Sequence, residues 1–329
     1  MNQVIETALA LWGKAGASVE LVATRENHVY RLDHEGAAFA LRLHRSGYRS
    51  DGELQSELAW MAAVARGGLR VPAPVPALSG DLLLVIGGAQ VDLLTWLDGS
   101  PVGKTGEPLQ ATDRSGLFRA IGREMARLHL VSDGWNPAAG FARTAWDRPG
   151  LLGEAPVWGR FWENPSLSTP DRQLFVAFRD LANARLRQLE GQLDYGLIHA
   201  DLVRENIILD DKGPQFIDFD DGGFGFRLFD LATALIKNLS EPDFPMLRQA
   251  LLEGYLALRA IDLDHLDLFL TLRAATYLGW IIPRMDEPGA VERNRRLISV
   301  ARHLAEACLG KPETGDGLWP FGGHKEKSP

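Results

Sequence analysis

Two short apolar runs, Asn206-Ile-Ile-Leu209 and Gln215-Phe-Ile-Asp218, stand alone inside a long stretch of helical periodicity, joined by Asp210-Asp-Lys-Gly213. Two strand-forming runs around an Asp- and Gly-bearing turn predict a β-hairpin. A hairpin returns the chain to where it started, so Asn206 at one strand's start and Asp218 at the other's end lie at neighbouring strand ends. Asp201 comes just ahead, in His199-Ala-Asp201-Leu-Val-Arg-Glu-Asn206, and Asp218-Phe-Asp220-Asp221 follows. Taken singly, such residues cap helices and turns. In this order they bring three oxygen-bearing side chains together, and any fold for the chain must allow that.

Strand patterning otherwise belongs to the first part of the chain. Asn27 to Asp33 and Ala38 to His44 alternate apolar and polar positions around a His34-Glu-Gly36 turn, a second hairpin. Glu53 to Ala65 has helical spacing, Val71-Pro-Ala-Pro-Val-Pro76 is an extended connector, and Asp81 to Ile86 reads as another strand. Val91-Asp-Leu-Leu-Thr-Trp-Leu-Asp-Gly99 reads as a link between lobes. Helical periods then dominate: Leu117–Leu130, a helix capped by Thr169 with Pro170 in its first position and running to about Glu190, and 228–239, 245–259, 262–285 and 290–308. At 329 residues the chain has room for two domains or one large two-lobed one. The expected fold is α+β and two-lobed. An N-terminal lobe (1–92) holds a small antiparallel sheet with one helix, a hinge spans 91–99, and a larger, mainly helical lobe covers 93–310. Residues 311–329, rich in Gly and Pro, read as a disordered tail.

Composition removes several alternatives. With 46% apolar and 24% charged residues the chain is neither disordered nor fibrous. Its net charge of -8 argues against a nucleic-acid or anionic-membrane partner. That charge is concentrated: residues 198–268 carry 14 acidic and 6 basic residues, and the remainder balances. The surplus, including Asp262, Asp264 and Asp267, suggests an amine-bearing acceptor or else the acidic start of a helix. One cysteine, Cys308, allows no internal disulfide, and no apolar run approaches a membrane span, so the expected location is the cytoplasm.

His199-Ala-Asp201-Leu-Val-Arg-Glu-Asn206 matches the H-x-D-x-x-x-x-N order of a kinase catalytic loop, and Asp218 falls where such enzymes hold metal. Phosphoryl transfer needs a carboxylate to orient and deprotonate the acceptor hydroxyl, and oxygen ligands for magnesium on the triphosphate. At these residues the chain resembles the aminoglycoside phosphotransferase and choline kinase family, small-molecule kinases with a protein-kinase-like fold. The resemblance spans roughly residues 20 to 308. It is greatest towards the homoserine kinase type II and stress response kinase A branch, on Val71-Pro-Ala-Pro74, Ile217-Asp-Phe-Asp-Asp221 and Leu272 to Trp280 with Arg284.

The resemblance implies ATP and Mg2+ as cofactors and assigns roles residue by residue. Asp201 is the base, Asn206 and Asp218 the metal ligands, and Arg42 the phosphate contact held by Glu57, with Glu53 as the other candidate. Asn27 belongs to the hairpin over the triphosphate, Trp96 lies beside the adenine, and His199 and Asp230 support the loop. Ala200 stands where the family usually has Gly, Val203-Arg-Glu205 replaces a usual Pro-Gly, and no G-x-G-x-x-G is present. Tyr277, Trp280 and Arg284 fall at i, i+3 and i+7, one face of the 262–285 helix and a wall for the acceptor, with Arg284 open to an acidic group. The expected activity is transfer of the γ-phosphate of ATP to a hydroxyl of a small metabolite, by a chain that forms a homodimer as is common in the family. The alternatives are a protein Ser/Thr kinase, which lacks the A-P-E element here, a nucleotide-binding pseudokinase, and a metal-dependent hydrolase.

Overall fold

The computed structural model describes residues 3–24 and 27–310; the tail at 311–329 lies outside the described residues. The chain divides into two compact units. One comprises Met1–Ser100, Leu130–Arg143 and Ile207–Asp220, and the other Pro101–His129, Thr144–Asn206 and Asp221–Pro329.

The first unit opens with α1 (Gln3–Leu11), β1 (Ser18–Thr24), β2 (Asn27–His34), β3 (Ala37–His44), α2 (Asp51–Arg66), β4 (Leu83–Ile86) and β5 (Ala89–Thr95). Its five strands form an antiparallel sheet in the order β1-β2-β3-β5-β4. The period-2 alternation divides the faces. Leu41, Leu43, Val91 and Leu93 join Ile5, Leu9 and Trp12 in one apolar cluster, while the intervening Arg42, His44 and Asp92 are buried with one another. The β2–β3 turn matches the sequence reading, with Glu35 and Gly36 both in the left-handed region at φ 51° and 78°.

Beyond β6 (Ser100–Pro101), the chain continues through α3 (Arg114–Asp133), β7 (Ala145–Trp146), α4 (Arg148–Leu152), α5 (Thr169–Gln188) and β8 (Tyr195–Ile198). Next come β9 (Ile207–Asp210) and β10 (Gly213–Phe216), which count with the first unit. The second unit resumes at β11 (Gly223–Phe226) and ends in α6 (Arg227–Ile236), α7 (Phe244–Leu256), α8 (Leu266–Trp280) and α9 (Ala290–Gly310). Every residue of α6 and nearly all of α8 is buried, so these two helices form the centre of the second unit. Among the described residues no helix is long and apolar enough to cross a membrane.

Four sequence readings shift. The stretch 91–99, read as a link, is for most of its length strand β5, paired with β3 on one side and β4 on the other, because Val91 and Leu93 bury in the apolar cluster. The hairpin at 206–218 is present as β9 and β10, Ile207 opposite Phe216, but its strands are shorter. Asn206 closes a 3₁₀ turn before β9, and Asp218 stands two residues past β10, where its φ of 67° cannot continue a strand. Ser168, not Thr169, caps α5, because its Oγ accepts the Asp171 N–H at 3.3 Å, which moves Pro170 to the second helical position. The helix read over 262–285 is α8, ending at Trp280. Pro283 cannot extend it, and Ile282–Arg284 form a separate 3₁₀ turn.

Candidate active site

In the first unit, strand register does the positioning. β3 pairs with β5 so that Arg42 lies opposite Asp92, and Arg42 grips that carboxylate with Nε to Oδ1 and Nη2 to Oδ2, both at 2.8 Å. Its remaining terminal nitrogen reaches Glu57 Oε1 of α2 at 2.8 Å, while His44 Nε2 lies 2.7 Å from Asp92 Oδ2. Glu57 comes into reach because Ser50 and Glu53 form a capping box that fixes where α2 begins. Glu53, the other candidate, is thus occupied at the helix start. All of Arg42, Glu57 and Asp92 are nearly inaccessible to water. Burial would raise the two carboxylates, but Arg42 outweighs it: Asp92 falls to about 2 and Glu57 also lies below its ordinary value.

Arg143 extends this cluster to the Asp218 segment. Its Nη1 donates to Glu57 Oε2 at 3.2 Å and its Nη2 to the Phe219 carbonyl at 2.9 Å, and Arg49 Nη2 donates to the Asp220 carbonyl at 3.0 Å. Phe219, fully buried, meets Trp60 edge-on at 5.2 Å. These contacts hold Asp218 in a left-handed conformation that costs a non-glycine residue about 1–2 kcal/mol. Asn27 stands opposite His44, its Oδ1 accepting the Arg45 N–H at 3.4 Å, and Trp96 is half-buried with Arg31 5.1 Å above its ring.

In the second unit, β8 delivers the chain to His199 and Ala200, and Asp230 at the start of α6 receives it. Asp230 Oδ2 accepts the His199 N–H at 3.1 Å and Oδ1 the Ala200 N–H at 2.8 Å. His129 of α3 stands between Tyr255 Oη at 2.7 Å and Asp230 Oδ2 at 3.0 Å. It reaches them because α3 crosses α7 at glycines: a Cβ on Gly122 would lie 1.9 Å from the Leu251 carbonyl oxygen. Burial, with Arg227 nearby, drops His129 to about 4, so its ring is neutral at pH 7. Ala200 has φ 65°, the conformation that explains the family's usual glycine. Ala200→Gly is expected to change stability in urea by about 0 to +1 kcal/mol, relief of strain set against glycine entropy; a clear loss would contradict the strain.

Asp201 is gripped from both sides. Arg273 Nη2 of α8 donates to Oδ1 at 2.7 Å, and Asn206 Nδ2 donates to Oδ2 and to the Asp201 carbonyl, both at 2.9 Å. Arg204 anchors the loop through Asn238 Oδ1 and the Glu107 carbonyl, both at 2.8 Å, and through Glu241. The Val203-Arg-Glu205 departure therefore supplies a buried tether in place of a Pro-Gly bend. Burial pushes Asp201 up to about 7, with Asp221 and Glu205 adding to the rise and Arg273 and Lys237 opposing it. A base with a raised pKa is ionised only above it, so acceptor kcat/KM is expected to climb with pH through about 7. A profile flat from about pH 5 to about pH 8 would remove Asp201 from that role.

Tyr277 is buried, with its Oη accepting from Arg273 Nη2 at 3.1 Å. Tyr277 and Trp280 both face Trp158, with ring centroids 5.7 and 6.2 Å away. Arg284, beyond the helix end, stacks 4.4 Å over Trp280 and donates to the Trp280 carbonyl at 2.9 Å. The three therefore do not share one helix face as the i, i+7 spacing implied. Arg273, Asp92, Arg143 and Arg204 escaped the sequence reading. Only Arg273 carried a signal, a lone cation in the apolar run Leu268 to Leu278.

The donor set suits a hard divalent cation. Asn206 spends its Nδ2 on Asp201, leaving its amide oxygen without a hydrogen bond among the described residues. Those residues contain no group of three or more His, Cys, Asp or Glu fit for a protein-only metal cage. Magnesium bound with nucleotide needs no such cage, since phosphate and water complete its shell.

Residues 19–269 match the family model described as "Phosphotransferase enzyme family", and the chain belongs to that family and is a phosphotransferase. Amicoumacin kinase from Bacillus subtilis is 28% identical over 252 residues, 74% of this chain and 70% of the relative. A homoserine kinase from Allorhizobium ampelinum is 26% identical over 268 residues, 79% and 77% of the two chains. The solved microcompartment-associated aminopropanol kinase superposes with a TM-score of 0.80 at 28% identity, over 93% of this chain and 97% of the other. The kinase-like α+β fold expected from sequence is thereby shown.

Proposed function

We propose that the chain transfers the γ-phosphoryl group of ATP to a hydroxyl of a small metabolite. The observation that carries this reading is the held carboxylate of Asp201, fixed by Arg273 and Asn206 and raised towards neutrality. The acceptor oxygen attacks the γ-phosphorus, its proton passes to Asp201, the bond to the β-phosphate oxygen breaks, and ADP leaves. Asn206 and Asp218 are the side chains that would hold magnesium, which when bound neutralises charge on the phosphates. Arg42 retains one N–H on each terminal nitrogen beyond those given to Glu57 and Asp92, and these would meet phosphate oxygens. On this reading residues 1–92, with Asn27, and Trp96 of the 91–99 hinge serve the nucleotide, and the rest of 93–310, with Tyr277, Trp280 and Arg284, serves catalysis and the acceptor.

The relatives named above take their names from small acceptors, which favours a metabolite over a protein Ser/Thr substrate. An ADP-release assay with magnesium over amino alcohols, hydroxy amino acids, sugars and aminoglycosides tests the proposal. Acceptor-dependent release from at least one class is expected. Release only with added protein substrates would replace the metabolite reading.

A further inference from the structure

We propose that Lys237 and Arg273 form a cationic subsite beside Asp201 that receives a carboxylate on the acceptor, so the preferred acceptors are hydroxy acids rather than simple amino alcohols. The inference rests on the phosphotransferase reading and names its substrate class.

Arg273 is fully buried in α8. One terminal nitrogen serves Asp201 and Tyr277, while Nε and the other terminal nitrogen have no hydrogen-bond partner. Aromatic rings surround the guanidinium, with Trp158 at 4.3 Å, Tyr277 at 4.5 Å and Phe229 at 5.4 Å. That cage holds the charge in place without neutralising it. Lys237, the residue that closes α6, lies over the same Tyr277 ring with its ammonium 4.0 Å from the centroid. That ammonium makes no hydrogen bond or ion pair among the described residues.

Two cations thus share one tyrosine and face one carboxylate, Asp201, which Arg273 and Asn206 already occupy. The other acidic groups nearby are Glu205, whose Oε1 accepts the Thr105 N–H, and Asp221. Desolvation and Arg273 lower Lys237 to about 8, the direction expected of an ammonium lacking a counter-ion. A largely desolvated lysine without a carboxylate partner is costly unless a ligand supplies the charge. Because the acceptor must bring its hydroxyl to Asp201, an anionic group a few bonds away meets this pair.

The acidic surplus of the region does not oppose this. Asp267 is matched by Arg248 at 2.9 Å, Glu241 by Arg114 at 2.7 Å, and Asp210 by Arg70. Arg284, the cation suggested by sequence for an acidic substrate group, is stacked on Trp280 and spends an N–H on that residue's carbonyl.

The test uses acceptor pairs that differ only in the carboxylate: L-serine and ethanolamine, L-threonine and 1-amino-2-propanol, L-homoserine and 3-amino-1-propanol. The carboxylate member of at least one pair is expected to have the higher kcat/KM, by roughly ten- to a hundredfold. Lys237→Met is expected to collapse that ratio through the acceptor KM, and Lys237→Arg to restore part of it. Preference for the decarboxylated members, equal loss on both members in Lys237→Met, or a loss appearing in the KM for ATP would overturn the subsite. Calorimetric binding of the same pairs, with magnesium and a non-hydrolysable ATP analogue, separates the two claims. Carboxylate-selective binding without turnover sustains the subsite and removes the phosphotransfer reading, whereas turnover without carboxylate preference does the reverse. Neither binding nor turnover by any carboxylate member overturns the subsite.

Discussion

Asp201→Asn is expected to lower kcat for acceptor phosphorylation by about 10²- to 10⁴-fold, the usual contribution of a positioned general base, while the KM for ATP changes little. The substitution keeps the shape of the side chain and its Asn206 neighbour but leaves no carboxylate to take the hydroxyl proton. The amide also offers one acceptor where two donors point, so it keeps the bond from Arg273 at 2.7 Å or that from Asn206 at 2.9 Å but not both, and a modest rise in acceptor KM accompanies the fall. Steady-state kinetics with both substrates varied separate these effects. A variant with more than about a tenth of wild-type kcat would show that proton removal does not depend on Asp201.

Arg42→Met is expected to cost about 3–5 kcal/mol in urea unfolding, the loss found when one member of a buried ion cluster is removed. The reason is local. Asp92 and Glu57 are fully buried carboxylates held below their ordinary pKa, Asp92 to about 2, by the guanidinium that bridges them. Without it, Asp92 keeps only His44, and Glu57 only Arg143. Both carboxyls should then take up protons near neutrality, so the deficit should shrink as pH falls towards 5. In the variant the two carboxyls have folded pKa values above their unfolded ones, so the penalty is full above the raised values and is relieved as pH falls through them, while the wild-type pair, held low by Arg42, stays ionised over the same range. A loss below about 1 kcal/mol would show the cluster to be solvated in solution.

The candidate loop was legible because its residues are close in sequence: Asp201 and Asn206 come just before the β9–β10 hairpin and Asp218 just after it. Strand alternation placed Arg42 on a strand and helical spacing placed Glu57 on a helix, but it was the family resemblance that paired them, and the Arg42–Glu57 contact at 2.8 Å agrees with it. Asp92 was not legible, since it lies in a short run read as a connector and its role appears only once β3 and β5 pair at a separation of 50 residues. Arg143 sits in an irregular segment with no period to reveal its reach to Glu57 and the Phe219 carbonyl. Arg204 showed in the sequence only as part of the replacement for the usual Pro-Gly, and its role as buried anchor appears once Asn238 and the Glu107 carbonyl are brought to it. Arg284 alone was placed on the wrong element, because the periodicity of 262–285 was carried through Pro283, whose ring ends the helix after Tyr277 and Trp280 and sends Arg284 onto Trp280. Arg273, one turn before Tyr277, was visible as a charge among apolar residues, yet its partner is 72 residues away.

The measurement that bears most directly on the central claim is 31P NMR of the wild-type chain with ATP, magnesium and the best acceptor of the screen. The account requires the γ-phosphate resonance to be replaced by ADP signals and a new phosphomonoester resonance, at equal rates and only when acceptor is present. Conversion of the γ-phosphate to inorganic phosphate alone, or an unchanged ATP spectrum with every hydroxyl compound, would contradict it.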